Sequence, residues 1–347
     1  MIPKGIYNYS RERLEKYFID NGQAKFRAVQ IFEALYRARV SAFSQITNIK
    51  QDVITQLDND FDFGKLEIVT KNVASDGTTK FLFRLEDKSL IETVLMIHEY
   101  GYSVCVTSQV GCNMGCTFCA SGTTKRIRNL TPEEMVLQVL TIDNYLSLEE
   151  KRVSHVVVMG IGEPFDNYDN VIEFIKIIND AKGLEIGARH ITVSTCGIVP
   201  QIYDFTELNL QVNLAISLHF ANNAKRSQYM PINKKYSLEL LIEALKAYYE
   251  KTNRRITFEY ILLKGINDSL TDAKELVNLV RGLNCYINLI QYNETGSQFQ
   301  RSDDKTIARF FDYLLKNRIT AIIRKEHGND IDAACGQLRV QMMKEQE

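Results

Sequence analysis

Long apolar runs are missing from this 347-residue chain. Stretches such as Val156-Val-Val-Met-Gly-Ile161 fall far short of the roughly 20 residues a bilayer-spanning helix needs, so no membrane segment is expected. Net charge is missing as well. The 42 basic side chains nearly balance 43 acidic ones, which removes any global attraction to a polyanion. An even, spaced set of cysteines is also absent: there are seven, three of them bunched, which argues against a disulfide-stapled secreted fold and for a reducing cytoplasm. The first residues, Met1-Ile-Pro-Lys-Gly-Ile-Tyr-Asn-Tyr-Ser-Arg11, turn polar at once, so no secretory leader is expected. No internal repeat or low-complexity tract stands out. What remains is an ordinary globular composition, 45% apolar and 24% charged. The length allows a sizeable core in one large domain, or one domain with an appendage.

Charge is nonetheless uneven. Residues 1–50 hold nine basic side chains (Lys4, Arg11, Arg13, Lys16, Lys25, Arg27, Arg37, Arg39, Lys50) against four acidic ones. Lys125-Arg-Ile-Arg128, Lys225-Arg226 and Lys234-Lys235 are further basic patches. Such patches can neutralise phosphates, but on charge alone a solvated helix face is the better reading.

The first 60 residues read as helices. Ser10 is an N-cap before Arg11–Phe18. Apolar residues recur at helical spacing from Ala24 to about Arg39, and a third helix is expected over Ala42–Leu57. Between Lys65 and Ile97 the period changes to two, and Asp76-Gly77 and Glu86-Asp87-Lys88 supply turns for a small meander. From residue 102 strands and helices alternate. The expected strands are Ser103–Thr107, His155–Met159, His190–Ser194, Asn213–Ser217, Arg255–Leu262, Tyr286–Tyr292 and Thr320–Arg324. The helices between them are Met135–Leu146, Asn170–Ala181, Leu238–Glu250, Asp272–Leu283 and Thr306–Asn317, the first opened by the capping box Thr131-Pro-Glu-Glu134. Repeated β–α units with apolar strands imply a parallel sheet clothed in helices. An open or full barrel is expected, with a doubly wound sheet as the alternative.

In such folds the site lies at the carboxyl ends of the strands. The first strand leads into Gln109-Val-Gly-Cys-Asn-Met-Gly-Cys-Thr-Phe-Cys-Ala-Ser-Gly122, which spaces Cys112, Cys116 and Cys119 as Cys-x3-Cys-x2-Cys. No fourth cysteine follows nearby. Three thiolates at this spacing can hold a 4Fe–4S cluster by three irons and leave the fourth open, unlike a ferredoxin closed by four cysteines. An open metal position is a reactive one. The alternative is a Cys3His zinc site completed by His98 or His219, neither of which lies in the local loop. Gly160-Ile-Gly-Glu-Pro164, Ser194-Thr-Cys-Gly197, Ser217-Leu-His219 and Asn293 follow later strands.

These residues resemble the radical S-adenosylmethionine (SAM) superfamily, and within it the RlmN/Cfr family of RNA adenine methyltransferases. Four pieces carry the likeness: Cys105-Val-Thr-Ser-Gln-Val-Gly-Cys112, Met159-Gly-Ile-Gly-Glu-Pro164, Tyr229-Met-Pro-Ile-Asn233 and Gly328-Asn-Asp-Ile-Asp-Ala-Ala-Cys-Gly-Gln-Leu338. It extends over most of the chain, including Lys25–Tyr36.

The resemblance implies a partial (β/α)6-type radical-SAM barrel over residues 101–347, a helical RNA-binding accessory domain over 1–60 and a β extension over 61–100. It implies a 4Fe–4S cluster on Cys112, Cys116 and Cys119, and two SAM molecules per turnover. Gly162, Glu163, Ser194, Ser217, Leu218, His219 and Asn293 match the family's SAM contacts. Cys335 matches its methyl-carrying cysteine, Cys105 the second cysteine that releases the product through a transient disulfide, and Glu92 the base that removes the C2 proton. C2 of adenine is electron-poor and will not attack a SAM methyl, which is why the family places the methyl on a cysteine and activates it as a carbon radical. Cys196 and Cys285 are left as buried small hydrophobes.

The implied substrates are a peptidyl-transferase-centre adenine of 23S rRNA and the adenine beside a tRNA anticodon. A flavodoxin or ferredoxin is the implied electron donor, and the chain is expected to be monomeric. A Cfr-like enzyme acting at C8 is one alternative. The segment Gly162-Glu-Pro-Phe-Asp-Asn167 favours the RlmN branch. A non-catalytic iron–sulfur or zinc RNA-binding protein is another alternative, and a radical-SAM enzyme acting on a small molecule, which would leave Cys105 and Cys335 without roles, is a third.

Overall fold

Ten strands form one sheet in the computed structural model, which describes residues 4–293, 298–325, 327–333 and 337–338. Strands β1 (Glu67–Val73), β2 (Thr79–Arg84) and β3 (Leu90–His98) make an antiparallel meander. Asp76 and Asp87 close its two turns by accepting from the backbone N–H groups of Thr78 and Ser89. Strand β4 (Gly101–Cys105) pairs antiparallel with β3 and parallel with β7 (Val153–Val158). The expected extension is therefore continuous with the main sheet. A separate two-strand ribbon joins β5 (Gln109–Val110) to β6 (Arg128–Asn129).

After β7 the sheet continues in parallel through β8 (Ile191–Thr195), β9 (Asn213–Ser217), β10 (Ile256–Leu262), β11 (Cys285–Gln291) and β12 (Ala321–Ile323). Their spatial order follows the chain without the reversal that defines a doubly wound sheet. The result is an open barrel wall. Among the described residues its edges, β1 and β12, do not pair.

Side chains alternate across a strand, and the two faces of this wall differ. Val104, Val156, Val193, Ile216, Phe258 and Leu289 belong to the main apolar core. That core also takes in residues of α4 (Pro132–Ser147), α5 (Tyr168–Asn179), α6 (Val199–Thr206), α8 (Leu238–Thr252), α9 (Leu270–Val280) and α10 (Asp304–Lys316). Helix α7 (Asn223–Tyr229) sits beyond β9. The alternate residues, among them Ser103, Cys105, Ser194, Ser217, Glu259 and Asn288, face the bore. Helices α6 and α7 were not anticipated; each is eight residues or shorter, too short for a clear helical period.

The N-terminal helices are α1 (Arg11–Asp20), α2 (Arg27–Tyr36) and α3 (Gln51–Asp60). Ser10 caps α1 as expected, accepting from Arg13 N–H. The expected third helix over Ala42–Leu57 is corrected: Phe43–Gln45 forms a separate 3-10 turn, and α3 starts only after Lys50. The basic excess of this region is largely spent on docking. Arg11 pairs with Asp180 at 2.9 Å, Arg13 with Glu173 at 3.5 Å and Arg39 with Asp143 at 2.5 Å, while Arg37 donates to the Ala181 carbonyl. Tyr7, Tyr9, Phe18 and Tyr36 are buried, and Phe26 is exposed with Arg27 over its ring.

Candidate active site

The cysteine loop is pinched at its base. Gln109 pairs with Asn129 and Val110 with Arg128, and Cys112 N–H donates to the Thr124 carbonyl at 3.1 Å. Gly111 holds φ +76, and a Cβ there would lie 2.2 Å from the Lys125 carbonyl oxygen, so only glycine fits. Thr117 N–H donates to the Tyr229 carbonyl at 3.0 Å, which ties the loop to the end of α7.

Cys112, Cys116 and Cys119 line a cavity of about 170 Å³ together with Gly162, Glu163, Ser194, Ser217 and His219. Loops from β4, β7, β8 and β9 thus converge at one mouth. Burial pushes the Cys112 thiol up to about 12, with Glu163 and Cys119 adding to the shift. It also raises Cys116, where the two other thiols contribute. Cys112 and Cys116, held this way, ionise only against strong positive charge, which an iron cluster would provide. Among the described residues no three His, Cys, Asp or Glu side chains are arranged around a point where one ion could sit. A cluster takes each thiolate on a separate iron, so this donor set suits a cluster better than zinc. His98 pairs with Gly101 at the start of β4, the end away from the loop, and stacks on Tyr100. His219 does line the cavity. Its Nδ1 accepts from Ile261 N–H at 3.1 Å, which puts the ring proton on Nε2. Burial, then Arg226, lowers its pKa to about 3, so the ring is neutral.

Gly162 holds φ +112, and a Cβ would lie 2.7 Å from Gln109 Cβ. The buried Glu163 carboxylate is oriented by two backbone donors, Phe165 N–H at 3.0 Å and Cys196 N–H at 2.8 Å. Ser194 Oγ and Ser217 Oγ lie 3.2 Å apart. Two of the expected SAM contacts stand outside the cavity lining. Leu218 is packed in the outer core, leaving only its backbone for a ligand, and Asn293 is buried two residues beyond β11. Cys196 lines the cavity, and its thiol is raised well up by burial; Cys285 lies in the outer core.

Glu92 and Cys105 occupy the bore beside this cavity. Val94 pairs with Cys105, and Glu92, two residues along β3, shares that face. Glu92 is buried, not an exposed strand carboxylate, with Oε1 3.5 Å from Lys80 Nζ. Cys105 packs among Val94, Met96, Ile161, Ala333 and Leu338. Cys335 lies outside the described residues. Ser121 Oγ, in the cysteine loop, donates to the Leu338 carbonyl at 2.7 Å.

Arg226 was read only as part of a basic patch, and the structure corrects that. It is fully buried, donating to the carbonyls of Cys196 at 2.6 Å and Leu218 at 3.2 Å and to Asn233 Oδ1 at 3.0 Å. It clamps the loops after β8 and β9 to the Tyr229–Asn233 segment. The sequence signal was that matching segment, which needs an anchor for Asn233. Glu259, on the bore face of β10, also lines the cavity and was missed.

An open parallel sheet whose first strand delivers a Cys-x3-Cys-x2-Cys loop to its carboxyl-end mouth is the architecture of the radical SAM class. A model of the radical SAM superfamily matches residues 90–278, and one of the ribosomal RNA large subunit methyltransferase N-terminal domain matches residues 5–62. A probable dual-specificity RNA methyltransferase RlmN of Enterococcus faecalis is 52% identical over 100% of this chain and 99% of its own. One from Listeria innocua is 53% identical over 99% and 95%. The crystal structure of a radical SAM methyltransferase from Sphaerobacter thermophilus superposes with a TM-score of 0.91 at 40% identity, covering 97% of this chain and 99% of that one. The chain belongs to the RlmN family of radical SAM RNA methyltransferases. Enzymes of this class use a 4Fe–4S cluster and SAM, and the residues at the mouth fit both.

Proposed function

We propose that this protein methylates C2 of adenine in 23S rRNA, at the peptidyl-transferase centre, and the adenine beside the anticodon in tRNA. The observation that carries the proposal is the neighbourhood of Cys105. It packs against Ala333 and Leu338, which lie before and after Cys335 in the chain, and the Leu338 carbonyl is hydrogen-bonded to the cysteine loop. Ala333 and Leu338, which bracket Cys335 in the chain, thus stand beside Cys105 and the cysteine loop, and this supports a role for Cys335 in the chemistry.

Cys112, Cys116 and Cys119 hold the cluster, and Gly162, Glu163, Ser194, Ser217, Leu218, His219 and Asn293 surround SAM. Held by those three thiolates and reduced, the cluster would supply the one electron needed to split SAM into methionine and a 5′-deoxyadenosyl radical, and would take one electron back later in the cycle. Cys335 first takes a methyl group on its thiolate from one SAM, then gives one hydrogen atom of that methyl to the 5′-deoxyadenosyl radical of a second SAM, which leaves as 5′-deoxyadenosine, and bonds through the resulting carbon to C2. Glu92 takes the C2 proton. The unpaired electron of the adduct returns to the cluster, the Cys105 thiolate attacks the Cys335 sulfur to form a disulfide as the sulfur–carbon bond breaks, and the released carbon takes up a proton to complete the methyl group.

A reduced flavodoxin or ferredoxin donates the electron, and the enzyme works as a monomer in the cytoplasm. Among the described residues no helix is long and apolar enough to cross a membrane. Residues 1–60 act as an RNA-binding accessory domain. Exposed Lys16, Lys25 and Phe26 remain available for that contact after the arginines have docked. Anaerobic reconstitution with SAM and an rRNA fragment, followed by nucleoside analysis, tests the reading. The expected product is 2-methyladenosine; 8-methyladenosine alone, or no SAM cleavage, would overturn it.

A further inference from the structure

Glu259 has a place in the site but no task in the chemistry above. It sits on the bore face of β10, in register with Ser217 of β9 on one side and Asn288 of β11 on the other. It is 4% exposed. Oε1 accepts from Asn288 Nδ2 at 2.8 Å. Oε2 has no hydrogen-bond partner among the described residues, and Arg324 Nη1, the paired cation, stands 3.7 Å away. Asn288 Oδ1 is also a buried acceptor without a partner; since Nδ2 is committed to Glu259, the amide cannot flip to relieve it.

Glu163, which lines the same cavity, has both oxygens occupied by backbone donors, whereas Glu259 has a donor on one oxygen only among the described residues. Leaving a buried acceptor unmet is costly, so the natural partner of Oε2 is a donor that arrives with a ligand. Two neighbouring acceptors call for a group with hydrogens and no lone pair to offer. Among the parts of an adenosine, the 6-amino group answers that description. A ribose hydroxyl brings lone pairs of its own, and the 6-oxo group of guanine or hypoxanthine would set acceptor against acceptor.

We propose that Glu259, held by Asn288, accepts a hydrogen bond from the 6-amino group of the target adenine and so selects adenine over 6-oxopurines. This rests on the methyltransferase reading above. SAM carries the same amino group, so the test must separate the two sources.

Wild type and the variants Glu259→Gln and Glu259→Ala are reconstituted anaerobically with their cluster and loaded with S-adenosylhomocysteine, which permits no turnover. RNA fragments carrying adenosine, purine riboside or inosine at the target position are then compared by equilibrium binding. Wild type should prefer adenosine by at least about tenfold, the scale of one unpaired buried polar group. Glu259→Ala should flatten the preference, and Glu259→Gln, which can present an N–H, should recover inosine. SAM affinity, measured on the same preparations, should stay within about twofold. An unchanged adenosine preference in both variants overturns the proposal. Loss of SAM affinity with base preference intact assigns the carboxylate to the cofactor's adenine and overturns it equally. Thermal melting of Glu259→Gln, the near-isosteric variant, separates misfolding from altered recognition. Wild type that methylates adenine normally while either overturning result appears leaves the enzyme's function standing, whereas absence of methylation in wild type removes the function itself.

Discussion

Ser121 and Leu338 join the two ends of the chemistry: the hydroxyl of the first donates to the carbonyl of the second at 2.7 Å. Ser121 lies two residues past Cys119, and Leu338 three past Cys335. The bond is buried, so removing the hydroxyl leaves an unmet carbonyl at a cost of about 1–3 kcal/mol. Ser121→Ala should therefore assemble its cluster normally yet transfer methyl groups about tenfold less efficiently. The diagnostic quantity is 5′-deoxyadenosine formed per methylated nucleoside, which should rise as SAM cleavage uncouples from transfer. An unchanged ratio would mean that the contact does not position the segment.

Arg226 should be the most stability-critical side chain of the site. It is wholly buried, and burial lowers its pKa against the opposing pull of Cys196 and Cys116. Replacing it by Met orphans the carbonyls of Cys196 and Leu218 and the Asn233 amide oxygen. The expected loss is about 3 kcal/mol or more, read by denaturant unfolding. Arg226→Lys should recover only part of it, because one ammonium cannot span the three acceptors. A loss below about 1 kcal/mol for the Met variant would contradict the clamp.

Much of this was legible from residue pattern. The seven parallel strands were visible because each buries its outward alternate residues against helices, and the Thr131–Glu134 capping box appears as read, with Pro132 at its first turn. The cysteine triplet was legible because cluster ligation is encoded locally. The β5–β6 pinch was not, since two-residue strands carry no period. Glu259 was hidden for another reason: a polar residue facing a bore looks like one facing water, and only the register of β9, β10 and β11 tells them apart. Arg226, on α7, was hidden because two of its acceptors are backbone carbonyls, which residue identity does not reveal. The docking role of the N-terminal arginines was not legible either, because their partners Asp143, Glu173 and Asp180 lie more than a hundred residues along the chain.

Cys196 offers a contrast between a residue and its side chain. Its N–H orients Glu163 and its carbonyl accepts from Arg226, two backbone contacts that survive loss of the thiol, which itself adds one hydrogen bond to the Glu163 carboxylate. Cys196→Ala should keep cluster content and methylation within about twofold and lose about 1 kcal/mol or less, the cost of trimming a small buried hydrophobe. Iron quantification alongside nucleoside analysis checks this. A Cys196→Ala protein that fails to hold iron would show the thiol itself to be a ligand.

Glu133 places a titration at the junction between the N-terminal helices and the barrel. It starts α4, exchanges hydrogen bonds with Asn8, and is enclosed by Gly5 and Gly64, where added Cβ atoms would lie 1.9 and 2.5 Å from its carboxyl group. Burial raises its pKa from 4.5 to about 7. The folded protein therefore binds this proton more tightly than the unfolded chain. Between pH 4.5 and 7 the folded state holds more protons, so this group's contribution to stability falls as pH rises, then levels off above pH 7. Glu133→Gln, neutral throughout, should be more stable than wild type at pH 8, by on the order of 1–2 kcal/mol, and indistinguishable from it near pH 4. Unfolding curves of both proteins across that range decide the matter: a difference that does not change with pH would rule out the buried proton.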